Sequence, residues 1–485
     1  MRIADQVQHT VKETAGPTDP QGPTGALASW LAGLQAGDIP QAVSERARHL
    51  TLDGIGCALV GAQLPWSTRA VDSVCEMEGN GASVLIGRGR CAPAPAAALL
   101  NGTFIQGFEL DDFHPLAPLH AASVVLPSLF ATTELLGGVS GERFLLAAIA
   151  GYEVGPRVGL ALHGSEMLTR GWHSGAVFGT HASAAAAARL RGLDASQFED
   201  ALGLAATQSG GLMAAQFEAM SKRMHHGFAA RAGLYAAALA ASGYTGIKRV
   251  FEREYGGFLS TFGEGHAPDA SQIAAELGAR WETPRYVIKP FSAMGALLAP
   301  IGAMLEIRTR RGVTADDIEA IELECASAAF HHGGWQAERP LTPIGAQMNM
   351  AYAVAVAALD GAALMQQFSP ARIDADDVWA FMRKITVTHD ASFDEDGPLA
   401  RGAVRMRVTF SDGSHEAMLL RHPRGEPLEP MTNEAIVAKF RALTGGVIDT
   451  ARQKQIESLV LNLERLDDAR ELLALLAQPV ANALA

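Results

Sequence analysis

The run His181–Leu190, HASAAAAARL, decides the fold class of this chain. Alanine is the best helix former, and the run has no β-branched or aromatic side chain that a strand could pack. Its texture recurs. Residues 96–108 (AAALLNGTFIQGF), 145–154 (LLAAIAGYEV) and 237–244 (AALAASGY) are equally rich in small and apolar residues. Helices that are apolar nearly all round are buried among other helices. Ala and Gly let such helices approach closely. From Ala92 to Tyr244 the sequence therefore predicts one large all-helical domain, with few strand signals.

Toward the N-terminus, residues 1–24 are polar and end in clustered Gly and Pro, and are expected to form a flexible tail. Asp38-Ile39-Pro40 reads as a helix start, with Asp38 capping. Val43, Ala47, Leu50 and Gly54 follow at helical spacing. Gly54, Gly56 and Gly61 do not have the dinucleotide-binding spacing, and they follow a helix pattern rather than a strand.

Toward the C-terminus the texture changes near Trp281. Ile318–Cys325 alternates like a strand, as does Ala403–Phe410. A turn at Ser411-Asp412-Gly413 and the run Glu416–Leu420 complete a hairpin signal. Helical stretches are expected at 293–311 and 343–359. Asn433 is expected to cap a further helix, and the last helices end near Leu476. The expected fold is mainly α: a large all-helical domain (25–285) and a smaller α+β lid domain (286–427). Helices in 428–485 return to the large domain.

The 485 residues are 48% hydrophobic and 19% charged, enough for a large unstapled core. The four cysteines form no C-x-x-C pair, which argues against a disulfide framework, a zinc site or a clustered-cysteine iron–sulfur site. A net charge of -13 disfavours nucleic acid and anionic membranes as partners. The first residues carry acids and no apolar stretch of a secretory signal. No apolar run approaches a membrane span. A soluble, cytoplasmic protein is expected.

Five stretches carry chemistry. Glu109–Ser123, ELDDFHPLAPLHAAS, sets Glu109, Asp111, Asp112, His114 and His120 on a loop interrupted by Pro115 and Pro118. It reads either as a catalytic loop or as a solvated helix end. Gly171–Val177 places His173 beside Trp172, with a helix from about Val177 whose first N–H groups suit a carboxylate. His173 alone also reads as a core imidazole. Lys222, Arg223, His225, His226 and Arg231 form a basic cluster inside apolar sequence. A buried cation needs an anion, supplied by the protein (Glu218, four residues before Lys222) or by a ligand. Lys289, next to Pro290, faces a ligand if the domain boundary forms a cleft. His331 and His332 follow the first strand and raise the question of a metal, but carboxylates at matching spacing are missing. H-E-x-x-H, G-x-S-x-G and P-loop motifs are absent.

In number and order, several stretches resemble the MmgE/PrpD family. They are LDGIGCALVGA, ELDDFHPLAPLHAASVVLP, GWHSGAVFG, QSGGLMAAQ, KRMHHGFAAR, YGGFL and GWQAERP. The resemblance covers nearly the whole chain. This family includes 2-methylcitrate dehydratase, iminodisuccinate epimerase and aconitate decarboxylase, and the similarity runs to the fungal, itaconate-forming branch. The resemblance implies a cofactor-independent homodimer acting on a small tricarboxylate, cis- or trans-aconitate. It implies Asp111, His120, His173 and Lys222 as catalytic residues and Lys289 at the substrate. Many members have Asp at the position of Glu109, and animal members have His near Met294. Arg223, His226 and His332 are further candidate substrate contacts, and no metal site is expected. Alternatives are a dehydratase or epimerase of a related polycarboxylate, a polycarboxylate-binding protein without turnover, and a metal-dependent lyase using Asp111, Asp112 and His114.

Overall fold

This computed structural model describes residues 18–395, 402–421 and 431–484. The longer helices of the first part are α1 (Pro23–Gly33), α2 (Gln41–Gly61), α3 (Pro65–Glu78), α4 (Ala94–Ile105), α5 (Ala122–Leu135) and α6 (Gly141–Ala161). They continue with α7 (Gly179–Arg191), α8 (Ala195–Ala206) and α9 (Ser221–Ala241). The alanine run lies in α7, where Ala184–Ala188 are fully buried. Side chains this small let α7 pack against α5, α6, α8 and α9 together. Local signals set the ends. Ser140 caps α6 through the N–H of Arg143, Asp194 and Gln197 form a capping box on α8, and Gly192 ends α7 in the left-handed region.

The second part is built on a four-stranded sheet of order β4-β3-β5-β6. The strands are β3 (Ile318–Cys325), β4 (Ile385–His389), β5 (Val404–Phe410) and β6 (His415–Leu420). β3 runs antiparallel to β5 and parallel to β4, and β5 and β6 form the expected hairpin. Helix α10 (Leu298–Arg311) packs on β5, β6 and α11 (Met350–Asp360). After this part come α12 (Asn433–Thr444), α13 (Thr450–Leu461) and α14 (Arg470–Ala477). Both α12 and α13 pack on α2 of the first part. One continuous apolar core joins residues of both parts.

The protein is mainly α, with several local departures from expectation. The first part is not purely helical: β1 (Ser83–Leu85) and β2 (Arg90–Ala92) form a short hairpin. β4 is a fourth strand that the hairpin signals did not include. Asp38 does not cap α2. It closes a single 3-10 turn by accepting the N–H of Gln35, and Pro40 is the N-cap. Thr432, not Asn433, caps α12 through the N–H of Ala435. Within the expected tail, α1 already begins at Pro23, and the Thr18 hydroxyl donates to Glu199. Residues 1–17 and the expected boundary at Pro427 lie outside the described residues. Helix α6 is long and apolar enough to span a bilayer, but 94% of its apolar window is buried in the fold.

Candidate active site

The catalytic candidates of the first stretch stand on a loop that the fold holds at several points. A 3-10 turn, Gln106–Phe108, ends in Glu109, whose φ of 57° lies in the left-handed region. A side chain there costs on the order of 1–3 kcal/mol, and such outliers cluster at functional sites. Phe113 then exchanges two hydrogen bonds of 2.9 Å with Val287, which ties the loop to the segment carrying Lys289. Asp112 accepts the N–H groups of Ala121 and Ala122 at 2.9 and 3.0 Å and so anchors the start of α5.

Glu109 is the hub. Its Oε1 accepts from Lys222 and, at 2.9 Å, from Gln106. Its Oε2 accepts from Lys289 at 3.1 Å. The three side chains are 1–5% exposed. Burial works against the Glu109 anion, but Lys222 and Lys289 outweigh it and hold the carboxyl well below its usual range. Two ammonium groups on one carboxylate leave a positive charge unmatched. Lys222 thus has a partner within the protein, and that partner is Glu109 rather than Glu218. Glu218 lines a separate surface groove.

His120, His173, Lys222, Lys289 and Glu109 line one cavity of about 180 Å³. Phe113, Met213, Met294 and Met348 make apolar wall, and Ser174, Gln216 and His332 add polar groups. Lys222 stands on the first turn of α9. His173 is placed by its N–H to the carbonyl of Gly211 and by the bridge Trp172–Leu212. Burial, helped by His225, Lys222 and His120, pushes His173 well below the ordinary imidazole range, so it is neutral. The Nδ1 of His120 lies 3.3 Å from Asp111 Oδ2, off the hydrogen-bonding direction.

Four of the eight expected residues sit on the cavity wall: His120, His173, Lys222 and Lys289. His332 joins them through its place beside Gln216, at 3.4 Å. The other three stand behind the wall. Asp111 is fully buried and meets His120 rather than the cavity. His226 accepts or donates at 2.9 Å to Ser123 and packs 4.9 Å from the ring of His120. Arg223 donates to the carbonyl of Gly107 at 2.8 Å and to Gln347 at 3.1 Å, and its guanidinium lies over Trp66. Arg223 is not among the residues that line the cavity.

Two further expectations change. The N–H groups at the start of α7 are not offered to the cavity. A one-turn helix, Ser174–Val177, precedes α7, and Phe178 and His181 already donate to Ser174 and Phe178. Asp111, Asp112 and His114 do not converge either. His114 turns away to Glu282, 3.1 Å off, while Asp112 holds backbone. His331 points back to the carbonyl of Ser327 at 2.7 Å. Among the described residues no three His, Cys, Asp or Glu side chains group as metal ligands. Glu109, the hub, was not among the expected site residues. The signal was present: it is the first acid of the loop and the nearest in sequence to a helix end.

Residues 25–270 match the MmgE/PrpD N-terminal domain, and residues 291–465 match the MmgE/PrpD C-terminal domain. The chain belongs to the MmgE/PrpD family. Among curated MmgE/PrpD-like relatives, the cis-aconitate decarboxylase-like protein oryM of Aspergillus oryzae is 44% identical, over 94% of this chain and 97% of its own. The cis-aconitate decarboxylase of Aspergillus terreus is 42% identical, over 98% of this chain and 99% of its own. The cis-aconitate decarboxylase of Homo sapiens is 26% identical, over 94% and 95%.

Proposed function

We propose that this chain is an aconitate decarboxylase, a carboxy-lyase that converts cis-aconitate to itaconate and CO2. The observation that carries the reading is the buried lysine pair on one carboxylate. It leaves a positive charge facing a cavity that is also lined by His120, His173 and His332. The near full-length similarity to the Aspergillus decarboxylases supports the same reaction.

The chemistry asks three things of the site. The bond between the methylene carbon and its carboxylate breaks, and its electron pair becomes the new double bond to the central carbon. The electrons of the old double bond move to the far carbon, which takes a proton. Lys222 and Lys289 bind the retained carboxylates through charge-assisted hydrogen bonds. Preorganised cations of this kind stabilise charge as it develops. The apolar wall at Met213, Met294 and Met348 suits the departing carboxylate, because CO2 is neutral and the anion is poorly solvated there. His120 is the proton donor. Unlike His173, it stands beside a carboxylate, Asp111, at 3.3 Å. His173, held neutral by burial, hydrogen-bonds the substrate.

Each step falls to a side chain of the chain itself, in keeping with a cofactor-independent reaction. The reading extends to a cytoplasmic homodimer. Phe228, Tyr235 and Leu239 make an exposed apolar row along α9 that suits a second copy. The test is to incubate the protein with cis-aconitate, trans-aconitate and 2-methylcitrate and identify products by NMR. Itaconate and CO2 from the cis isomer are expected. Water loss from 2-methylcitrate with no CO2 from either aconitate would replace the reading with a dehydratase.

A further inference from the structure

A third buried lysine lies under the catalytic loop, and none of the steps above uses it. Lys439 comes from α12, far along the chain, and its side chain is 8% exposed. Its Nζ donates to the carbonyl of Leu110 at 2.6 Å and lies 2.7 Å from Asp53 Oδ1. Asp53 is on α2 and is fully buried.

The glycines beside Asp53 explain how α12 gets there. A Cβ at Gly54 would lie 2.8 Å from the Cβ of Ala122 on α5. One at Gly56 would lie 3.1 Å from the ring of Phe440, the neighbour of Lys439. With glycine at both places α2 sits close to α5 on one side and α12 on the other. Lys439 then reaches past α2 to the loop.

Leu110 stands between Glu109 and Asp111. That position matters because Asp111 has no hydrogen-bond partner for either carboxylate oxygen among the described residues. Its side chain is therefore placed by its backbone. On one side that backbone is anchored by Asp112, through Ala121 and Ala122. On the other the anchor is the Leu110 carbonyl on Lys439. Burial and Asp111 push the Asp112 carboxyl up to about 8. The basic side chains facing the group are Lys439 and Arg46, and His120 and Lys222 on the cavity side.

We propose that Lys439 is a positioning residue of the active site: by joining Leu110 to Asp53 it fixes Asp111, and through Asp111 the ring of His120. This rests on the reading of His120 as proton donor. Lys439→Met alone would strand the buried Asp53 anion and endanger the fold. The test variant is therefore Lys439→Met with Asp53→Asn, which removes both charges together.

Three quantities are read on the full-length protein: the melting temperature, kcat and KM on cis-aconitate, and hydrogen exchange at Phe113 and His114. Displacements of about 1 Å at a reacting group can cost roughly a hundredfold, so a loss of ~10- to 100-fold in kcat is expected, with KM changed less than threefold. Exchange at the two loop amides should speed up, while the melt stays near that of the wild type. Turnover within twofold of wild type contradicts the proposal, as does a loss of turnover with loop exchange unchanged. If the wild type releases no CO2 from either aconitate, the decarboxylase reading fails by itself. Loop exchange in the double variant then decides whether Lys439 holds the loop.

Discussion

Two buried acids, Glu282 and Glu109, each gather basic side chains, and they differ in where the surplus charge goes. Glu282 gathers His114, Arg280 and Arg285 at 2.9–3.2 Å. Its arginines reach solvent, with side chains 20% and 38% exposed. Glu109 gathers Lys222 and Lys289, whose side chains are 5% and 1% exposed and face a cavity. Water relieves the excess charge in the first cluster. In the second the buried Asp111 offsets part of it from behind the wall, and on the cavity side an anionic ligand is the natural complement. A buried acid with cations is thus structural or functional according to what its surplus charge meets.

The comparison breaks most easily at the lysines. A charge-assisted hydrogen bond contributes ~1.5–3 kcal/mol, so Lys222→Met should lower kcat/KM by roughly ten- to over a hundredfold. Lys289 still neutralises Glu109 in that variant, so the melting temperature should stay near the wild-type value. Arg285→Met, the matching change at the other cluster, should leave kcat/KM within about twofold, as surface ion pairs matter little. Equal kinetic losses in the two variants would erase the distinction.

Glu282→Gln should do the reverse. Breaking a buried pair on one side costs about 3–5 kcal/mol of stability, read in a denaturant titration, while kcat per folded molecule is kept. Its pH signature follows from the same contacts. Burial pushes the Glu282 carboxyl up, but the hydrogen bond from His114 and the charges of Arg285 and Arg280 bring it down from 4.5 to about 2. A carboxyl lowered in the folded state adds stability above its unfolded value and loses it as the pH falls through its folded value. Stability should therefore drop between about pH 4.5 and 2, and Glu282→Gln should flatten that limb. The smallest effect expected is none: exhaustive dialysis against a chelator should leave kcat unchanged. Metal-dependent recovery of activity would overturn the assignment of every step to side chains.

The contrast also shows what a sequence can display. Alanine texture and period-two alternation identified the helical part and the hairpin, because both follow from local packing. β4 was missed although Ile385-Thr-Val-Thr-His389 alternates. It is only five residues long, and its apolar face, Ile385 and Val387, is only half-buried. At the site, residue type marked the stretches that hold His120, His173, Lys222 and Lys289, and the family resemblance singled those residues out. Residue type does not distinguish Lys222 from Arg223 and His226, which are also basic and lie on the same helix. Only the direction each side chain takes from α9 separates cavity from core. Glu109 and Lys439 were harder still, since each acts through a partner over a hundred residues away.

The central claim is that the unmatched charge of the lysine pair receives a substrate carboxylate. The most direct measurement is a crystal structure with tricarballylate, which keeps the three carboxylates and lacks the double bond. A carboxylate oxygen should lie within hydrogen-bonding reach, about 2.7–2.9 Å, of Lys222 Nζ or Lys289 Nζ, with Glu109 still bound to the pair. His120 should then face the carbon that takes the proton. Tricarballylate bound elsewhere, with both lysines still meeting Glu109 alone, would contradict the account.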